Sequence, residues 1–336
     1  METNTDAKRI MVTRGAGQIV LAIILGLLWL SVSAIPAFAA EIVVDETGHD
    51  DTSCGTEAAA CRTIAYAVTN RAASGDTVLV YPGTYTETIT MRPGVIISGT
   101  GAAATFIDGE GLRGPMVTAG TEVTASAILR GFTIRGGLAP EGAGIYVSGT
   151  AAPELRDLAV ISNTATRGGG LYVAATASPR IAGLEFRHNH ASGIAYGDGG
   201  GGLYVHGSLT LTDTQVISNT ASAAGGGVYQ YSGSGLLNWV GGRLERNIAG
   251  ADGGATSDGG GMYVSGDLIM TGTLVLSNTA TKWGGGLYVE HNVTMTDVLV
   301  LNNTGGQWGG GLYQNELFVD HVYISGGRFE NNRLIS

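Results

Sequence analysis

The sequence predicts an all-β chain, a right-handed parallel β-helix solenoid with a short N-terminal capping helix. Three observations carry that expectation. One phrase recurs: ISNTATRGGGLYV at 161–173, ISNTASAAGGGVY at 217–229, LSNTATKWGGGLYV at 276–289 and LNNTGGQWGGGLY at 301–313. The tyrosines that follow the glycine runs stand at 146, 172, 204, 229, 263, 288 and 313, intervals of 26, 32, 25, 34, 25 and 25. A period near 25 with occasional insertions fits stacked coils, because extra residues bulge from one turn without shifting the next. Finally, apolar residues fall in register: Val160, Phe186, Val216, Leu244, Val275, Val300 and Phe329 each stand three places before an asparagine. Leu155, Ile181, Leu211, Trp239, Met270, Met295 and Ile324 stand eight places before it.

Between the apolar columns lie variable polar residues, such as Glu185 and Arg187 around Phe186. That is strand alternation, interrupted at fixed points by Asp, Gly or Asn. Each unit therefore reads as three short strands and three corners. One coil cannot bury its inner face, but stacked coils bury a continuous column, with strands pairing in parallel about 4.8 Å apart. The crossover rule sets the hand. Roughly ten coils are expected over about 76–335.

The asparagine column is Asn163, Asn189, Asn219, Asn247, Asn278, Asn303 and Asn332. Its expected role is structural: a corner asparagine bonds those above and below it and satisfies amides otherwise unpaired. A row of ligand contacts is the alternative. Asn also tolerates left-handed backbone angles, as do the Asp and Gly of the column Asp157, Gly183, Asp213, Gly241, Gly272, Asp297 and Gly326. The glycine runs mark a corner where backbones approach closely or φ is positive.

The 336 residues include 56 Gly, 14% charged residues and a formal net charge of −10. Nucleic acid is excluded as a partner, because phosphate binding needs clustered cations and Lys282 is the only lysine after residue 40. Lys8, Arg9 and Arg14 precede an apolar run from Ile19 to Ile35, and Ala37-Phe38-Ala39 offers a cleavage site. Residues 1–39 therefore read as a signal peptide, with an uncleaved membrane anchor as the alternative. Either way the rest is secreted or at the cell surface, and the membrane is met only through that segment. In an oxidising compartment Cys54 and Cys61 are expected to form one local disulfide.

Residues 40–75 read as an N-terminal cap and 76–336 as the repeats. Within 57–72, Cys61, Ile64, Val68 and Ala72 share a helical face that would cover the first coil. No capping helix is read after Asn332. The glycine-plus-aliphatic motif (Gly168-Gly169-Gly170-Leu171) and the Phe-x-x-Asn motif (Phe186 to Asn189, Phe329 to Asn332) resemble the repeats of polymorphic outer-membrane proteins. CRTIAYAV followed by GDTVLVYPGTYTE resembles the start of pectin-lyase-like β-helix proteins. The resemblance implies a β-helix over about 54–336, a fold that hosts lyases, glycosidases, esterases and inert stalks alike.

An enzyme on this fold needs convergent carboxylates. Asp157, Asp213 and Asp297 alternate with Gly two and three coils apart, so a turn role suffices. His188 and His190 with Asp198 are a metal candidate, with solvated polar side chains at a corner as the alternative, and nothing calls for a cofactor. Leu and Val of GGGLYV should point inward and Tyr outward, giving an aromatic stripe that either stacks on itself or meets a partner. Gln230 and Gln314 in the Val slot leave the facing open. Trp283 and Trp308, one coil apart beside Tyr288 and Tyr313, are the candidate contact surface, with Lys282 and Gln307 at its rim. The expected function is a non-catalytic scaffold, adhesive or contacting a glycan or a surface protein. The alternative is a carbohydrate-active enzyme, a polysaccharide lyase or glycoside hydrolase.

Overall fold

The structure, a computed structural model, describes residues 39–231, 235–254, 256–315 and 321–335. The expected signal segment lies outside the described residues, Ala39 excepted. Residues Ala40–Ser336 make up one folded unit.

That unit is a parallel β-helix. Its described strands form sheets of 11, 10, 8 and 9 strands, every strand pairing in parallel with the equivalent strand of the next coil. One coil shows the plan: Glu154–Arg156, Ala159–Ile161, Thr164–Arg167 and Leu171–Val173, one strand in each sheet. The sequence suggested three strands per coil. The fourth follows the asparagine and is as short as Thr220–Ala221, too short for alternation to be read.

Register follows the apolar columns: Leu155 pairs with Ile181, Ile181 with Leu211, and Leu211 with Trp239. Val160, Phe186, Val216, Leu244, Val275 and Val300 are fully buried. Phe329 departs from expectation at 39% exposed, because its strand has a neighbour on one side only.

At the N-terminal end Glu41–Val44 forms the first strand of the 11-stranded sheet, within the segment read as cap. The helix is shorter than the 57–72 periodicity suggested, Ile64–Tyr66 continuing as a π-turn over Ala67–Arg71. Cys61 is held extended instead, its N–H donating to Val43 O and its O accepting from Asp45 N. Helical geometry starts only after Thr63, whose side chain caps Tyr66 N, while Glu87 accepts from the N–H groups of Ile64 and Ala65. Cys61, Ile64, Val68 and Ala72 are nevertheless all buried. Cys54 and Cys61 are disulfide-bonded, Cα atoms 4.8 Å apart.

Two corners carry left-handed backbone. Every member of the Asp/Gly column has positive φ, from 46° at Asp213 to 69° at Gly241. At the other corner the left-handed residue is the one before the asparagine, Ser162, His188, Ser218, Arg246, Ser277, Asn302 and Asn331, with φ between 52° and 56°. The asparagine itself turns inward. Asn219 N–H and Nδ2 both donate to Asn247 Oδ1 (2.9 and 3.1 Å), and Nδ2 also donates to Phe186 O (2.9 Å). Asn219 Oδ1 accepts from Asn189 N and Nδ2 (2.9 and 3.0 Å). The same pattern runs from Asn163 to Asn332.

Removing one rung strands buried groups on both sides. Asn219→Ala is expected to cost about 1–3 kcal/mol, the desolvation of an unpaired buried amide. Urea denaturation checks this; an unchanged midpoint would mean the corner does without the ladder.

Candidate functional site

Alternation on the 9-stranded sheet sends Leu171 and Val173 into the main core and Tyr172 to the outer face. Gln230 keeps the inward Val slot, fully buried with Nε2 donating to Gly207 O at 2.7 Å, so the facing is as read. Tyr146, Tyr172, Tyr204, Tyr229, Tyr263, Tyr288 and Tyr313 form one continuous stack with centroids 4.7–5.4 Å apart.

This outward column is not an exposed stripe. Tyr172, Tyr204, Tyr229, Tyr263 and Tyr288 are buried, Tyr204 to 1%. The glycine corners make room for them. A Cβ on Gly168 would lie 3.0 Å from Tyr204 Cβ, and one on Gly142 would lie 2.9 Å from Tyr172 Cβ. The first glycine of each run also has positive φ, and a Cβ there would strike the carbonyl three residues on in its own coil, 2.3 Å away at Gly168 and 2.4 Å at Gly284, so the corner itself requires glycine. Burial drives these phenols above their ordinary range, most strongly at Tyr263, whose hydroxyl donates to Glu290 Oε1 at 2.6 Å.

The stack opens to solvent where Trp283 and Trp308 join it. They form a bridge between adjacent coils, with indole centroids 5.6 Å apart and planes 12° from parallel. Trp283 lies 6.2 Å from the Tyr288 ring and 5.6 Å from Tyr313, and Trp308 lies 6.1 Å from Tyr313. Trp283 is half-buried, its Nε1–H donating to Gln307 Oε1 at 3.0 Å, whereas Trp308 is 56% exposed. The four aromatic residues thus form one ledge, with an amide at its rim.

The slot before the glycine run holds Asp258 one coil before Trp283, a residue the sequence reading passed over. It is buried and accepts from Trp283 N at 3.3 Å. Burial pushes its carboxyl up to about 6, against the opposing pull of the Trp283 N–H and Lys282. The signal was present: Asp258, Trp283 and Trp308 all directly precede GGG.

Other candidates do not converge. His188 sits at an exposed left-handed corner, while His190 Nδ1 meets Thr220 Oγ1 at 2.9 Å and Nε2 faces Asp252 at 3.7 Å, not Asp198. Asp198 instead accepts from Ala195 N at 3.0 Å. Asp157, Asp213 and Asp297 each face the glycine of the next coil: a Cβ on Gly241 would lie 2.3 Å from Asp213 Oδ1, and one on Gly326 2.1 Å from Asp297 Oδ1. Alternation with glycine keeps these carboxylates from stacking on their own kind. A shallow groove of about 670 Å³, including Glu154, Arg180, Thr210 and Leu236, lies on the 11-stranded sheet, a different face from the aromatic ledge.

No protein-family model and no curated protein matches the chain. Among solved structures it is similar to a pectin methylesterase from carrot, at 12% identity over 89% of each chain with a TM-score of 0.42. It is also similar to the pectin methylesterase PemA from Erwinia chrysanthemi (12% identity, 89% of this chain and 94% of that, TM-score 0.39). A rhamnogalacturonan lyase matches at 11% identity over 89% of this chain and 87% of that, TM-score 0.36.

The Asp258 carboxyl yields a pH prediction. Its folded-state pKa is raised, so its contribution is most favourable below the unfolded value near 4 and is lost as pH rises through about 6. The difference is about 2–3 kcal/mol for this buried group. Asp258→Asn should therefore be more stable than the parent at pH 7.5, and the two should converge near pH 4. Melting curves at both pH values check this; a constant difference would contradict the assignment.

Proposed function

We propose that the chain is an extracytoplasmic β-helix scaffold that contacts a glycan through the ledge of Trp283, Trp308 and Tyr313, which the buried Tyr288 backs from beneath, without catalysing a reaction on it. The observation that carries this reading is the stacked indole pair of Trp283 and Trp308, half-buried and 56% exposed, beside the half-buried ring of Tyr313. Sugar rings present C–H faces to such surfaces and hydroxyls to neighbouring polar atoms, here the Gln307 amide. The disulfide supports an oxidising compartment, and the signal-like segment at 1–39 supports export. The likeness of the Gly-Gly-Gly-Leu and Phe-x-x-Asn motifs to surface-protein repeats supports display at a cell surface. A binding role is favoured over catalysis because Asp157, Asp213 and Asp297 stand at separate corners, each occupied with its turn.

The test is a glycan array probed with the chain from Ala40 onward, comparing the parent with Trp283→Ala/Trp308→Ala. Losing two stacking surfaces should weaken binding on the order of tenfold or more, with the melting temperature little changed. Trp308→Ala alone, at the more exposed position, keeps the test valid where the double variant melts early. Undiminished glycan binding by a folded variant, or no glycan bound by the parent, would sink the reading.

A further inference from the structure

Two places after each tyrosine of the stack the chain leaves its strand, and at one such position alone the residue is acidic: Glu290. Parallel register sets Tyr263 against Tyr288, which brings Glu290 up beside the Tyr263 hydroxyl. Tyr263 Oη donates to Glu290 Oε1 at 2.6 Å, and Ser265 Oγ donates to Glu290 Oε2 at 2.7 Å. Bonds this short mark an ionised carboxylate accepting at both oxygens. The Glu290 backbone is held too, its N–H donating to Val264 O at 2.9 Å. Other hydroxyls of the stack are placed differently. Tyr204 donates to the Gly197 carbonyl, which takes no proton, and Tyr288 accepts from Asn315 Nδ2.

The Tyr263 ring is 4% exposed and lies between Tyr229 and Tyr288, each 4.7 Å away with planes 6° from parallel. Tyr288 in turn lies 6.2 Å from the half-buried Trp283, planes 13° apart. One ring therefore bridges an indole at the surface to a buried phenol with its own proton acceptor. Coils pair on both sides of Tyr263 and Tyr288, so the arrangement belongs to the body of the stack. Burial and the Glu290 bond hold the phenol far above its ordinary range, so its proton does not leave alone.

We propose that Tyr263 and Glu290 form a one-electron redox site, reached through Trp283 by a diffusing one-electron oxidant stronger than an indole. The oxidant takes one electron from Trp283 and is itself reduced. The indole cation recovers an electron from Tyr263 across the Tyr288 ring. In that step the Tyr263 O–H bond breaks and its proton passes to Glu290 Oε1. A neutral tyrosyl radical remains beside a carboxylic acid, and no other bond changes. A phenol without a base must be oxidised to a cation, which is harder, so the hole settles at Tyr263 and not at Tyr288. The flanking rings keep the radical from coupling with a phenol of another molecule.

The test photo-oxidises the chain from Ala40 onward with flash-generated tris(bipyridine)ruthenium(III) and follows radicals by electron paramagnetic resonance after freeze-quenching. The parent should give a persistent neutral tyrosyl signal, formed more slowly in heavy water because the proton moves with the electron. Tyr263→Phe, which keeps a ring in the stack, should lose that signal, leaving only short-lived radicals from exposed rings such as Tyr196. Glu290→Gln should slow its formation by about a hundredfold, as loss of a positioned base does. Trp283→Phe should slow it as well, with the same spectrum once formed. Circular dichroism checks that each variant folds, and where Glu290→Gln does not, the heavy-water effect on the parent decides. A persistent signal that survives Tyr263→Phe overturns the proposal. So does a parent that forms only indole radicals, formation at the parent rate without Glu290, or a parent rate unchanged in heavy water.

Discussion

A coil that turns back over its own interior must bury peptide groups at its corners as well as apolar side chains in its walls. Water cannot reach those groups, and strand pairing does not use them. The asparagine ladder meets this constraint. Each carboxamide oxygen takes two N–H donors from the coil before, and each carboxamide nitrogen donates to the coil after and to a carbonyl of the coil before. A side chain one carbon longer would not keep its amide in register with this corner. Because every rung holds both neighbours, the ladder fixes the coil-to-coil register on which the apolar columns and outer face depend.

The outer face is a second consequence of that register. With coils held in line, the tyrosines of successive GGGLY motifs fall one above another and bury themselves against bare glycine corners. The result is an apolar column outside the main core, closed along most of its length. It opens at Trp283 and Trp308, which are half-buried and 56% exposed. Asp258 belongs to the same slot, so a titrating carboxyl lies beside the ledge.

How much of this could be read from residues alone differs from feature to feature. Columns repeated at fixed spacing carry their own evidence, so the apolar wall and the parallel pairing were legible in the sequence, whereas Gln230 and Gln314 in the Val slot left the facing of the tyrosines open. Features set by a single hydrogen bond were not. The left-handed residue lies one place before the asparagine, at Ser162 or Arg246, because the asparagine's side chain has to turn inward. Helical periodicity around Cys61 and Ile64 overstated the helix, since Cys61 is pinned into an extended backbone by Val43 and Asp45. Burial of the tyrosines was hidden for another reason: an alternation pattern says which way a side chain points, not whether glycine corners close over it. Asp258 was invisible as a charged group for the same reason, its burial being set by neighbours from other coils.

The claim that the ladder holds the stack can be tested where it is made, by native-state hydrogen exchange of the backbone N–H groups of Asn163, Asn189, Asn219, Asn247 and Asn278. Each donates to the next asparagine's Oδ1. If the rungs set the register of the coils, these protons should exchange only through global unfolding, with the same free energy as urea denaturation reports. Exchange as rapid as that of the exposed corner residues, while the strands stay protected, would mean that the coils keep their register without the ladder.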